Sequence, residues 1–149
     1  LDYCKHKDDL LTNDQILMNW FYNGGEETLL FLLDDDKKFD NVCDLLNQFQ
    51  TSLELEVNGR KTRFSHAGCD FNKDWKEQSI DDLTWSREDF YDYGGQIEAD
   101  YYFGHTPIRL LGLRDKPWIR QMGEHKLVGL DGSPNVILYC IETGEYWCA

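Results

Sequence analysis

Apolar residues recur at helical spacing over the first third of the chain and at alternating spacing after it. Ile16, Leu17, Trp20 and Phe21 share one face of a helix, with Thr12 or Asn13 placed to cap its start. Asn23-Gly24-Gly25 breaks that pattern. A second helix is expected from Glu26 to Leu33, where two glutamates in the first turn suit the helix dipole. Phe39, Val42, Leu45, Leu46 and Phe49 mark the apolar face of a third. Between them, Asp34-Asp35-Asp36 lacks the alternate spacing and distal Glu of a calcium loop, and reads as a solvated helix end.

The period then drops to two. Leu53, Leu55 and Val57 alternate with polar residues, Asn58-Gly59 supplies a type I′ turn, and Thr62 and Phe64 continue the return strand. That strand runs out at Ser65-His66-Ala67-Gly68. Asp70 to Gln96 is irregular, with a short helix expected near Trp85 to Phe90. Tyr101-Tyr102-Phe103 reads as a strand cut off by Gly104-His105-Thr106-Pro107. Two further strands are expected around Val136 to Ile141 and Tyr146 to Cys148, turned by Thr143-Gly144. Helices first and strands later predict an α+β fold, or a piece of a larger layered α/β domain.

Composition narrows the class. At 149 residues, with 41% hydrophobic and 14% aromatic content, the chain can bury a core and is not expected to be disordered. A formal charge of −13 argues against nucleic acid and anionic membranes as partners, since counterion release needs positive charge. No apolar run is long enough to span a bilayer. Cys4, Cys43, Cys69, Cys140 and Cys148 are odd in number and scattered, so ordinary thiols and a cytoplasmic location are expected rather than a disulfide framework or structural zinc. The chain opens on Leu1 rather than Met, and is expected to start inside a longer protein.

Two histidines share a context. His66 and His105 each follow a short apolar strand and sit next to or near glycine. Ligand-binding groups in α/β proteins gather beyond the carboxyl ends of strands, and neutral imidazole is the commonest metal ligand. A hydrogen-bonded structural histidine is the plainer alternative at either position alone.

The motifs carry a resemblance. Phe64-Ser65-His66-Ala67-Gly68 resembles the fourth metal-binding motif of the phosphoprotein-phosphatase branch of calcineurin-like metallophosphoesterases. Asp82 to Phe90 resembles the segment that carries a phosphate-binding arginine in bacterial and phage-like members, here Arg87. Phe103-Gly104-His105-Thr106-Pro107 resembles the final Gly-His motif. Tyr22-Asn23-Gly24-Gly25 with Thr28 resembles the helix-linking segment, and Ile141 to Trp147 the closing strands. The order is that of the family and spans nearly the whole chain.

The resemblance implies a four-layer α/β/β/α sandwich of which residues 1–149 form the C-terminal portion, lacking the N-terminal half. It implies two divalent ions, Mn, Fe or Zn, with His66 and His105 on the same one and Arg87 on substrate phosphate. The implied activity is metal-dependent hydrolysis of phosphomonoesters, with phosphoserine or phosphothreonine proteins or small phosphoesters as substrates. The family's first three motifs, Gly-Asp-x-His-Gly, Gly-Asp-x-x-Asp-Arg-Gly and Gly-Asn-His-Asp/Glu, are missing. They would lie upstream of Leu1 or in a partner chain, which leaves two ligands here against the three of a typical catalytic zinc site. Phe71 stands where relatives often carry Pro. Dinucleoside-polyphosphate hydrolysis and a non-catalytic binding or assembly module are the alternatives.

Other residues invite simpler readings. Asp70 and Asp74 could orient an imidazole but are explained by surface solvation. His6 and His125 are expected in exposed loops. Cys69 next to the His66 motif fits no Cys–His nucleophile pattern. Arg109, Arg114 and Arg120 with Trp118 could line a phosphate-binding rim, or be surface residues with packed stems.

Overall fold

The computed structural model describes residues 14–33 and 36–149. The capping expected of Thr12 or Asn13 lies outside these residues, as do Cys4, His6, Asp34 and Asp35. The chain divides into two compact units, Leu1–Phe49 and Gln50–Ala149.

The described part of the first unit is helical. Helix α1 (Asp14–Tyr22) ends in a Schellman motif: Gly25 N–H donates to Trp20 O at 2.9 Å and Gly24 N–H to Phe21 O at 3.0 Å. Gly24 has φ +81°, the left-handed conformation this motif needs. Helix α2 (Glu26–Leu33) touches α3 (Asp36–Asn47). Phe39 and Cys43, one turn apart on α3, are buried, and Val42 and Leu46 half-buried. Leu45 is exposed, and Phe49 lies beyond the helix end and is also exposed, so the apolar stripe is narrower than its sequence suggests. Cys43 is disulfide-bonded, which corrects the expectation of thiols throughout. Spacing along the chain does not reveal which side chains folding brings together. Cys69, Cys140 and Cys148 are free.

The second unit is built on a five-stranded mixed sheet of order β1-β2-β3-β5-β4. Strands β1 (Ser52–Val57) and β2 (Arg60–Ser65) form the expected hairpin, with Asn58 at φ 51° and Gly59 at φ 72° as a type I′ turn requires. β3 (Asp100–Phe103) pairs parallel with both β2 and β5 (His125–Gly129). β4 (Trp118–Met122) closes the far edge, antiparallel to β5. Sequence reading missed this second hairpin, although Gly123 at φ 65° opens its two-residue turn and Gly-x is the type II′ signature. His125, expected in an exposed loop, is the first residue of β5 and lies 3.2 Å from the buried Asp100 carboxylate.

One face of this sheet is well covered. Tyr101, Phe103 and Leu127 project onto it and pack with Cys69, Leu83, Phe90 and Ala99. Leu83 belongs to α4 (Ile80–Trp85) and Phe90 to α5 (Glu88–Tyr91). The single helix expected near Trp85 to Phe90 is therefore two, because Arg87 takes a non-helical backbone, φ −136° and ψ −114°, between them. Ser79 and Asp82 form a reciprocal capping box at the start of α4. Hydrogen bonds from Lys73 and Ser79 hold the Asp82 carboxyl down to about 2. Its ordinary value is about 4, so its stabilising contribution is complete above that value and disappears as pH falls toward about 2. Acid titration of Asp82→Asn, followed by circular dichroism, should show a flatter stability profile across that window than the wild type.

The opposite sheet face is less covered. Phe64 stacks on Tyr102 at 5.4 Å, and Tyr102 meets Tyr139 at 5.7 Å. Tyr139 comes from a separate two-stranded sheet of β6 (Ile137–Tyr139) and β7 (Tyr146–Cys148), shorter at β6 than the expected Val136 to Ile141. On the same face Leu53, Leu55 and Ile119 stay exposed by 41%, 46% and 49%. The fold is thus α+β around a mixed sheet. Among the described residues no helix is long and apolar enough to cross a membrane.

Candidate metal and phosphate site

The two parallel neighbours β2 and β3 end side by side. Phe64 pairs with Tyr102, so His66 and Gly104 leave the sheet at the same level, where Gly104 N–H donates to His66 O at 2.8 Å. The next residue on the β3 side is His105. Residues 39 apart in sequence are thereby brought together, with His66 Nε2 3.1 Å from His105 Nδ1 and the rings tilted by 56°.

His105 is held in an unusual conformation. Its φ is 60°, and Thr106 N–H donates across it to Gly104 O at 2.6 Å, a γ-turn-type bond. Such left-handed backbone at a non-glycine costs about 1–3 kcal/mol and persists only where the surroundings impose it. Here the ring is fixed by the edge of Trp85, at 5.3 Å and 85°, the last residue of α4. Ala67 N–H donates to Leu83 O at 2.8 Å and ties the His66 loop to the same helix. Gly68, at φ +156°, is needed just beyond. A Cβ there would come 2.5 Å from the ring of Phe90.

Burial lowers the His105 imidazole below its ordinary pKa, and the charges of Arg87 and His66 add to the effect, while Asp131 opposes it. A neutral ring with an available lone pair is the form that binds metal. Two nitrogens about 2.0–2.1 Å from one ion stand about 2.9–3.4 Å apart at right-angle to tetrahedral geometry. The 3.1 Å between His66 Nε2 and His105 Nδ1 fits that range, and equally fits a hydrogen bond between two neutral rings. His105 Nε2 is buried and has no hydrogen-bond partner among the described residues. Among the described residues, no group of three or more His, Cys, Asp or Glu side chains could hold an ion.

Arg87 is exposed, and no hydrogen bond or ion pair engages its guanidinium among the described residues. With Trp85, Asp70, Asp82, Glu88 and Tyr93 it lines a cleft of ≈ 690 Å³. The other sequence candidates differ in their surroundings. Asp70 accepts from Asn72 and pairs with Lys73, and Asp74 is exposed at the start of a 3-10 turn. Arg109 donates one hydrogen bond to Ser133 O and Arg120 one to Tyr91 O, while Arg114 is exposed and has no hydrogen bond or ion pair among the described residues. Trp118 packs edge-on against Phe103 and Tyr91. Burial pushes the Cys69 thiol up to about 12, which leaves no thiolate nucleophile beside His66.

Sequence reading did not single out Trp85 as a wall for His105. No local signal distinguishes an aromatic at a helix end that packs on a neighbouring loop from one that faces solvent. Compared with protein-family models and with curated proteins, the chain finds no match in either.

Proposed function

We propose that this chain is the C-terminal part of a metal-dependent phosphomonoester hydrolase of the phosphoprotein-phosphatase type, acting on phosphoserine or phosphothreonine proteins or on small phosphoesters. The observation that carries this reading is the His66–His105 pair. Two motif histidines converge at 3.1 Å beyond adjacent parallel strands, with the charge of the unengaged Arg87 reaching His105. The four-layer sandwich belongs to the same reading, supported by the incompletely covered sheet face with Leu53, Leu55 and Ile119.

His66 and His105 would hold one of two divalent ions, with the other ligands coming from outside this chain. Bound metal of this kind lowers the pKa of coordinated water toward ~7 and stabilises charge on phosphoryl oxygens. Arg87 receives substrate: its planar, permanently charged fork can donate two hydrogen bonds to phosphate oxygens. Trp85 keeps His105 in place, and the strained backbone at His105 fixes where its Nδ1 points.

The purified chain, titrated with Mn²⁺, should show paramagnetic broadening of the His66 and His105 ring resonances before that of His125. Broadening without that preference would overturn the reading. Turnover of an aryl phosphate by the chain alone would add that the remaining ligands are within reach. In the active form, Arg87→Ala should lower kcat/KM by about 10²-fold, the scale of one lost charge-stabilising donor. Arg87→Lys should restore part of it, since a point charge replaces the fork.

A non-catalytic assembly module is the second reading. Its support is the exposed apolar surface of β1, β4 and the β6–β7 pair, where Leu138 and Trp147 oppose each other and are 62% and 58% exposed. Sedimentation as a clean monomer at micromolar concentration would count against it.

A further inference from the structure

Where the parallel strands begin, at the end of the sheet opposite the histidines, lies another pocket. It measures ≈ 350 Å³, and Val57, Arg60, Thr62, Tyr102, Lys126 and Ile141 are among its walls. Two hairpin turns meet at its rim. Asn58 Nδ2, in the β1–β2 turn, donates to Glu142 O, in the β6–β7 turn, at 3.0 Å.

The charges in this pocket do not all cancel. The Asp100 carboxylate accepts from Arg60 Nη2 at 2.9 Å and Nε at 3.1 Å, and those two groups neutralise each other. Lys126 has no such partner: among the described residues no carboxylate stands within ion-pair distance of it. Instead its Nζ donates to the Tyr139 hydroxyl at 3.1 Å, and lies 5.7 Å from the Tyr102 ring centre and 5.4 Å from that of Tyr139.

Two hydroxyls accompany the ammonium, and each has a proton to give. Tyr102 is 3% exposed, and its hydroxyl is buried with no hydrogen-bond partner among the described residues. Burial raises this phenol above its ordinary pKa while the nearby Lys126 ammonium opposes the rise, so the hydroxyl keeps its proton. Tyr139 accepts from Lys126, which leaves its own proton unused. A Cβ at Gly144, a lining residue, would stand 3.6 Å from the Tyr139 hydroxyl, so that group also borders the pocket. A buried hydroxyl without an acceptor is destabilising, and an acceptor seated in the pocket removes that cost.

The walls narrow the class of ligand. Three donors, one of them charged, call for an oxyanion. Glu124 and Glu142 also line the pocket, are exposed, and oppose a second negative charge. Val57, Ile141 and the Tyr102 ring supply an apolar wall of the kind small-molecule sites pair with a few convergent polar groups.

We propose that this pocket binds a small monocarboxylate with an apolar body, its oxygens held by the Lys126 ammonium and the Tyr102 and Tyr139 hydroxyls. The site is independent of the metal-hydrolase reading, because it shares no residue with the histidine end of the sheet.

Benzoate is the probe, titrated into the full chain at constant ionic strength and about pH 8, with the Lys126 side-chain and Tyr102 ring resonances as readout. Both should shift saturably. Benzamide, the same shape without the charge, and phenylphosphonate, largely a dianion, should each bind at least about tenfold more weakly. Lys126→Gln should weaken benzoate binding by about 10–100-fold, the scale of a lost charged hydrogen bond. Tyr102→Phe should weaken it by about 3–10-fold and leave the melting temperature of the free protein unchanged or raised, since the deleted hydroxyl has no internal partner to lose. Shifts that fail to saturate, or Lys126→Gln binding benzoate as tightly as the wild type, overturn the proposal. So does a clear fall in melting temperature for Tyr102→Phe, which would mean that the hydroxyl serves the fold. Phenylphosphonate binding as tightly as benzoate overturns the choice of a monocarboxylate.

Discussion

His66→Ala and His105→Ala should each lower kcat in the metal-loaded active form by about 10³-fold or more. Loss of a ligand forfeits metal stabilisation of phosphoryl charge worth several kcal/mol, and each 1.36 kcal/mol is about tenfold in rate. The controls lie in the structure. His66 is exposed and its removal should change stability by about 0.5 kcal/mol or less. His105→Asn should be tolerated too, because Asn accepts the left-handed backbone that His105 occupies at φ 60°. Thermal melts near wild type combined with lost turnover would place both side chains in chemistry rather than folding. Wild-type turnover in either alanine variant would remove the histidines from the site.

Phe90→Ala should cost about 3–5 kcal/mol, the usual range for emptying a fully buried aromatic position. Phe90 is 0% exposed and meets Phe71 at 5.1 Å, Phe103 at 4.9 Å and Tyr101 at 6.0 Å. Its ring also fills the space over Gly68, two residues after His66. The cavity would therefore lie directly under the candidate site. Urea titration should report the loss in stability. The His105 ring resonance should shift as well, because α5 and the loop carrying Arg87 lose their anchor. A loss under about 1 kcal/mol would show that this core can close around the gap.

Some of the fold was legible because its signals are local. Asn58-Gly59 can form a type I′ turn whatever surrounds it, and both residues have positive φ. The α1 stop at Asn23-Gly24-Gly25 is equally local, since the left-handed residue and its two hydrogen bonds lie within one turn. The second hairpin was missed although Gly123 marked its turn. Trp118, Arg120 and Met122 share a strand face with a charge among them, and Arg120 only makes sense there once Tyr91 O is seen to accept from it.

His66 and His105 were visible as candidates because a strand running into His and Gly is a short, contiguous pattern. Their pairing was not visible from spacing. Sequence determined the hairpin, the three helices among the described residues of the first unit and the residue types that could bind metal and phosphate. Tertiary structure alone decided that β2, β3 and β5 lie parallel and adjacent, that His66 and His105 meet at 3.1 Å, and that Cys43 is bridged. The reason is physical. Turn and helix preferences are set by neighbours along the chain, whereas parallel strand order and side-chain convergence are set by which apolar faces can be buried together.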